Sequence, residues 1–187
     1  EIASCYPFSL IQSKKFPNRV YVGLEPGLLV LKWNGDEWET EMEVPNVNTT
    51  LRRISEDNNG IVWGSSEQEG IVRVEFDNSN EKLEVVSVKN YYKDSGLPVG
   101  PTTVLNGKKW QLTGTYSGLY RYNSVKQSFV PDTIIGALFD YSLGANAFVR
   151  LSEDYKGNIW LVALNDKKNT THLSYVHPPN DLNAFVH

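Results

Sequence analysis

ISEDNNGIVWGSS, residues 54–66, returns 97 residues further on as LSEDYKGNIWLVA, residues 151–163. Self-similarity at a fixed spacing marks a repeated structural unit. Each copy runs from a Ser-Glu-Asp triplet (Ser55, Glu56 and Asp57; Ser152, Glu153 and Asp154) through a glycine (Gly60, Gly157) to a tryptophan (Trp63, Trp160). An aspartate can accept a hydrogen bond from the backbone two residues on, and a glycine can take a positive φ. The stretch therefore predicts a tight turn between two strands, with the tryptophan on the second of them.

Working outward, NGKKWQLTGTYSGLYRY places Trp110 between the two copies, at intervals of 47 and 50 residues, and NRVYVGLEPGLLVLKW puts Tyr21 at the corresponding place 42 residues before Trp63. After each aromatic comes a short apolar run, a turn with Gly27, Gly70 or Gly118, and a second run such as GIVRVEF or GLYRY. Short β-branched and aromatic runs bounded by Gly, Asn and Asp are strand and hairpin signals. The second unit reads as TTLRRIS, GIVWGSS, GIVRVEF and KLEVVSV. Four-stranded antiparallel units at a period of roughly 40–50 residues predict an all-β chain of β-propeller blades. The expected divisions are 1–46, 47–95, 96–142 and 143–187, together one propeller-type domain. Four units are few for a propeller, so the expectation is a fragment of a larger one. A closed four-blade ring and two copies joined by their open ends are the alternatives.

Composition narrows the function. A net charge of −4, with no basic run denser than isolated pairs such as Lys14 and Lys15, Lys108 and Lys109, and Lys167 and Lys168, argues against nucleic acid, which demands a clustered basic surface. The one cysteine, Cys5, excludes an internal disulfide. No apolar run is long enough to span a bilayer, so any membrane link is expected through parts of the parent chain outside this sequence. The chain opens on Glu1 rather than Met, and an upstream segment is expected to have been removed.

These residues resemble the two-component regulator propeller repeat: an apolar strand, Asp, Gly, Trp, a short strand, then Gly-Leu-Tyr-Arg-Tyr. LSEDYKGNIW and GLYRYN match it directly, and ISEDNNGIVWG nearly so; the third unit has VLNGKKW in place of the Asp turn, and the fourth has THLSYVH in place of Gly-Leu-Tyr. The resemblance implies the extracytoplasmic, periplasmic sensor part of a membrane histidine kinase, often a hybrid kinase governing polysaccharide use. It implies a non-catalytic role and an oligosaccharide ligand, with further blades or a second copy as partners. It does not name the ligand, because the repeated residues are turn-formers and packing groups.

Other readings are a stand-alone lectin-like or protein-binding propeller and a sialidase-like hydrolase. SEDNNGIVW resembles the Asp-box of sialidases, with one residue too many between Asp and Gly, but four of the chain's arginines recur at repeat positions (Arg53 with Arg150, Arg73 with Arg121). The carboxylate pairs Glu56/Asp57 and Glu153/Asp154 sit at a repeated turn, which favours turn chemistry over a glycosidase pair. His172, His177 and His187 have no metal-ligand spacing, so neither a metal nor a cofactor is expected. Asn48 and Asn169 each open an Asn-Thr-Thr sequon.

Ligands of propellers usually meet the loops that precede the innermost strands at one mouth of the ring. Here these are VPNVNTT, YYKDSGLPVGPTT and DYSLGANAF. Tyrosine faces stack on sugar C–H surfaces while Asn and Asp bind hydroxyls. The candidate ligand residues are Asn48, Tyr91, Tyr92, Asp94, Asp140 and Tyr141, with Arg53 and Arg150 on the innermost strands.

Overall fold

The computed structural model describes residues 6–66, 70–77, 82–108, 110–136, 146–165 and 170–177. Among these the regular elements are β-strands and a 3-10 turn at Lys93–Ser95. It divides into two units, Glu1–Tyr92 and Lys93–His187, each holding two propeller-type blades.

In the first unit, sheet 1 has the order β1 (Tyr6–Gln12), β2 (Arg19–Glu25), β3 (Gly27–Trp33), β4 (Trp38–Glu43). Sheet 2 follows as β5 (Arg53–Glu56), β6 (Val62–Ser65), β7 (Ile71–Asp77), β8 (Glu84–Tyr91). All pairings are antiparallel between neighbours in sequence, as short hairpin turns dictate. The middle strands carry the continuous apolar runs. RVYVGLE of β2 is buried along six successive residues, whereas the outer strand WETEME of β4 has no buried residue. The core of this unit lies between the two sheets, where Tyr21, Leu28, Val30 and Val47 meet Leu51, Ile54, Val72 and Phe76. The Tyr21 and Phe76 rings stack at 5.3 Å and 15°. Burial pushes the Tyr21 phenol up to about 12. Neither face of such a sheet survives in water alone, and each buried apolar side chain contributes about 1.5–3 kcal/mol.

In the second unit, sheet 3 runs β9 (Thr102–Asn106), β10 (Gln111–Thr115), β11 (Gly118–Asn123), β12 (Ser128–Pro131), in that order across the sheet. Sheet 4 has β13 (Asn146–Glu153), β14 (Ile159–Asn165) and β15 (Thr170–Val176) among the described residues. Trp110, Leu112, Leu119 and Ile135 pack with Ile159 and Leu161 between these sheets.

The repeated turn is built alike in sheets 2 and 4. Oδ1 of Asp57 accepts the N–H groups of Asn59 and Ile61 at 2.9 and 3.0 Å, and its Oδ2 accepts Trp63 Nε1–H at 3.0 Å. Asp154 repeats the set with Lys156, Asn158 and Trp160 at 2.9, 3.0 and 3.0 Å. Gly60 and Gly157 take the φ values of 81° and 85° that close the turn. One side chain thus shapes the turn and anchors the aromatic six residues on. Trp63 is 2% exposed and Trp160 37%, so the same bond is dry in sheet 2 and wet in sheet 4.

Strand register corrects the alignment through Trp110. The cross-strand pairs Ile11/Tyr21, Ser55/Trp63, Leu105/Leu112 and Ser152/Trp160 occupy equivalent places. Leu112, not Trp110, is therefore the counterpart of Trp63. The third turn is one residue shorter than those of sheets 2 and 4 and has Gly107 where they have Asp. The Trp110 carbonyl accepts Gly107 N–H at 2.8 Å, the place held by Ile61 and Asn158 in their turns. Among the described residues the buried Trp110 Nε1 has no hydrogen-bond partner.

Glu56 and Glu153, the middle residues of the triplets, do something the turn reading did not include. Glu56, 2% exposed, accepts Ser13 Oγ–H at 2.7 Å and the Lys14 N–H, both in the β1–β2 turn of the neighbouring sheet. Glu153 accepts the Lys108 N–H at 2.6 Å from the β9–β10 turn. Each glutamate clasps the turn of the preceding sheet within its own unit.

Candidate functional site

The antiparallel course of sheet 1 puts the β2–β3 turn and the β4–β5 link at one end of the blade, and the β1–β2 and β3–β4 turns at the other. At the first end the chain encloses a cavity of about 350 Å³, lined by Leu24, Pro26, Gly27, Leu28, Glu43, Val44, Pro45, Asn46, Val47 and Asn48. Three backbone hydrogen bonds hold its two walls together. Val44 N–H donates to Leu28 O at 2.8 Å, Gly27 N–H to Thr49 O at 3.1 Å, and Leu51 N–H to Leu24 O at 2.9 Å. Thr49 Oγ1 meets Ser66 Oγ of sheet 2 at 3.2 Å, tying the link to the next blade.

The sequence explains these walls. Val44 and Val47 are buried, while Glu43, Pro45, Asn46 and Asn48 between and beside them are exposed. Asn46 has φ 62°, a left-handed conformation that asparagine tolerates better than most residues. Gly27, at φ 120°, follows the cis Glu25–Pro26 bond in the opposing turn. The result is an apolar floor with a rim of one carboxylate and two amides, able to accept and donate hydrogen bonds to hydroxyl groups while a ligand's apolar face rests on proline and valine.

Of the residues expected from sequence, Asn48 is the one that lines this cavity. Tyr91 turns inward: it is 4% exposed and stacks on Trp63 at 6.3 Å. Tyr92 is 43% exposed and lies over Gly70, at the β6–β7 turn. Arg53 is half-buried on β5, paired across the hairpin with Ser65, and Arg150 is exposed at the equivalent place on β13. Asp94 is exposed in the 3-10 turn of the second unit, accepting Ser95 Oγ–H at 3.4 Å. Asp140 and Tyr141 lie outside the described residues. Glu43 and Asn46 escaped sequence reasoning, although Asn46 stands within VPNVNTT, the loop singled out for Asn48.

The carboxylates of the repeated triplets are committed. Asp57 accepts three hydrogen bonds and Asp154 four, and Glu56 is sealed in its clasp. The indole N–H of Trp160, with the Asn158 side chain, holds the Asp154 carboxyl well below its ordinary value. Among the described residues no group of three or more His, Cys, Asp or Glu side chains could hold a metal ion, and no helix is long and apolar enough to cross a membrane.

No family model matches the sequence, and no curated protein matches it. Solved structures do share the fold. The chain is similar to the extracellular domain of the candidate one component system BT4673 from B. thetaiotaomicron, with a TM-score of 0.61 and 16% identity over 95% of this chain and 23% of that one. It is also similar to streptogramin B lyase, with a TM-score of 0.51 and 12% identity over 93% of this chain and 55% of the enzyme. The chain spans about a quarter of the first and about half of the second. At these identities the likeness is one of fold.

Proposed function

We propose that the chain is a non-catalytic, ligand-binding part of an extracytoplasmic sensor in a two-component or one-component regulatory system, and that it recognises a saccharide at the cavity beside Asn48. The observation that carries the reading is that cavity: apolar floor, hydroxyl-binding rim of Glu43, Asn46 and Asn48, and walls fixed by backbone hydrogen bonds. Two further points support it. The chain shares its fold with the extracellular domain of a one component system, and the aspartates of the carboxylate pairs that a glycosidase reading would recruit are bound to indole N–H and backbone groups. In such a sensor the periplasmic blades report occupancy by packing onto further blades or a second copy.

The test is an immobilised-glycan screen of the folded chain, followed by calorimetric titration of wild type, Asn48→Ala and Glu43→Ala. Binding of a saccharide that both substitutions weaken is the expected result. Absence of any glycan ligand would leave the stand-alone protein-binding propeller in its place. Turnover of a fluorogenic sialoside would overturn the non-catalytic reading.

A further inference from the structure

The opposite end of sheet 1 carries a second concavity, of about 540 Å³, lined by Gln12, Pro17, Asn18, Trp33 and Trp38. Trp33 and Trp38 face each other across the β3–β4 hairpin, 39% and 44% exposed. Two of the largest apolar side chains thus stand in water, although a few steps along the same strand Leu28, Leu29 and Val30 are buried.

The local structure holds them there. Asn34 Oδ1 accepts the N–H groups of Asp36 and Glu37, each at 2.9 Å, while its Nδ2 donates to Glu39 at 2.6 Å. Gly35 supplies the positive φ of 112° in that turn. Trp33 N–H donates to Asn18 O at 2.8 Å, fixing the hairpin to the β1–β2 turn. The two ring planes meet at 58° with centroids 5.5 Å apart, so the indoles form a wedge rather than a flat stack.

The polar groups of this lining are amides. Gln12 Nε2 donates to Pro17 O at 2.7 Å, which fixes the side chain and leaves its Oε1 as an acceptor. Asn18, exposed, adds a second amide. None of the five lining side chains is charged, and neighbouring Glu39 is engaged by Asn34. A site with two aromatic faces, a proline ring and neutral amides matches a ligand with apolar ring faces, many hydroxyls and no charge.

We infer that Trp33 and Trp38, with Gln12 and Asn18, form a second binding site for a neutral saccharide, separate from the cavity at the other end of the blade. The pyranose face lies on one indole, the other indole closes its edge, and the amides take equatorial hydroxyls. The site stands on its own geometry and does not require the Asn48 cavity to bind anything.

The test uses the full chain, ¹⁵N-labelled, and follows its five indole N–H resonances during titration with short neutral gluco-, xylo-, manno-, galacto- and arabino-oligosaccharides. A proline-rich peptide serves as the competing chemistry, since it too favours aromatic grooves. The expected result is that at least one oligosaccharide shifts the Trp33 and Trp38 signals. Trp33→Ala or Trp38→Ala should then weaken it about tenfold, the scale of a lost aromatic contact. Trp38→Phe should restore part of the affinity, Gln12→Leu should weaken it, and Asn48→Ala should leave it unchanged. Melting curves identify any variant that fails to fold, in which case Gln12→Leu and Asn18→Ala carry the test. No oligosaccharide shift at these two indoles, affinity unchanged in both alanine variants, or a response to the peptide alone would overturn the inference. Glycan binding lost only in Asn48→Ala would do the same while sustaining the first cavity.

Discussion

Replacing Asp57 by alanine tests whether the repeated turn is held by its aspartate or by the packing around it. Three hydrogen bonds disappear. The Asn59 N–H is exposed and water replaces its acceptor at little cost, whereas the Ile61 N–H is partly buried and loses about 1 kcal/mol. The Trp63 indole is different: at 2% exposure it has no route to water, and an unpaired buried donor costs about 1–3 kcal/mol. Asp57→Ala should therefore destabilise the first unit by about 2–4 kcal/mol, a large share of the roughly 5–15 kcal/mol that holds a domain together. Asp57→Asn separates the contributions. Its amide oxygen can still cap the turn, but an NH₂ group then faces the indole N–H, so only the Trp63 bond is lost, at about 1–3 kcal/mol.

Asp154→Ala is the internal control. It removes the three equivalent bonds and a fourth, from the Asn158 side-chain amide at 2.8 Å, but Trp160 is 37% exposed and its N–H can turn to water, so the part of the loss that comes from the indole should be clearly smaller. Urea unfolding followed by far-UV circular dichroism and tryptophan fluorescence reads all three variants, with the two units fitted as separate transitions if they do not melt together. Equal destabilisation by Asp57→Ala and Asp154→Ala would refute the reasoning, because burial of the indole would then not set the cost. An Asp57→Asn protein as stable as wild type would refute it too.

Three further outcomes follow from neighbouring contacts. Glu56→Ala strips the acceptor from Ser13 Oγ and the Lys14 N–H and should cost about 2–3 kcal/mol by thermal melting, with Glu56→Gln recovering part of it. Gly23→Ala should destabilise more than an ordinary strand substitution, because a Cβ there meets the Leu51 carbonyl and Ser9 Oγ; a neutral effect would mean that β2 and the end of the β4–β5 link are not in contact in solution. Hydrogen bonds from Arg73 and Ser87 depress the Glu75 carboxyl from 4.5 to about 2, so its contribution is complete above its unfolded value and is lost as pH falls from about 4.5 towards 2. Partial exposure keeps that contribution small. Melting temperature against pH should fall through this window less steeply in Glu75→Gln than in wild type, and parallel curves would reject the assignment. Arg19 acts in the same direction on Glu41: burial alone would raise that carboxyl, and the guanidinium, at 2.6 and 2.8 Å, holds it below its ordinary value.

Local physics made the sheets and the repeated turns legible in sequence. Asp57, Gly60 and Trp63 lie within one hairpin, and the seven residues 57–63 suffice to specify turn, cap and anchored indole. The clasp was not legible because Glu56 reaches a turn 42 residues earlier and binds partly to backbone, which leaves no side-chain signature. Trp110 misled because a turn shortened by one residue moves an aromatic out of register while keeping its spacing nearly regular. Tyr91 misled because a tyrosine in a loop reads as a ligand platform, whereas stacking on Trp63 draws it into the core. The rim of the first cavity assembles from segments about 20 residues apart, and only the closure of sheet 1 brings Pro26 and Asn48 together.

The hairpin equivalence also accounts for the spacing of 97 residues, which is two blades rather than one. The last residue of each sheet's first strand pairs at the same point in all four hairpins: Gln12 with Val20, Glu56 with Val62, Asn106 with Gln111, Glu153 with Ile159. Carboxylates stand there in sheets 2 and 4, each clasping the turn of its unit's first sheet, and neutral amides stand there in sheets 1 and 3. At the next position Ser13 and Gly107 replace the aspartate. Ser13 Oγ caps its own turn at Phe16 N–H and meets Glu56, and the absence of a side chain at Gly107 leaves room for Glu153, since a Cβ there would strike that carboxylate. Donor turn and clasping glutamate are thus complementary halves of a two-blade repeat, and neither half makes sense alone. A position relieved of clasping is open to other use: in sheet 1 it is Gln12, whose amide is turned by Pro17 into the concavity of Trp33 and Trp38.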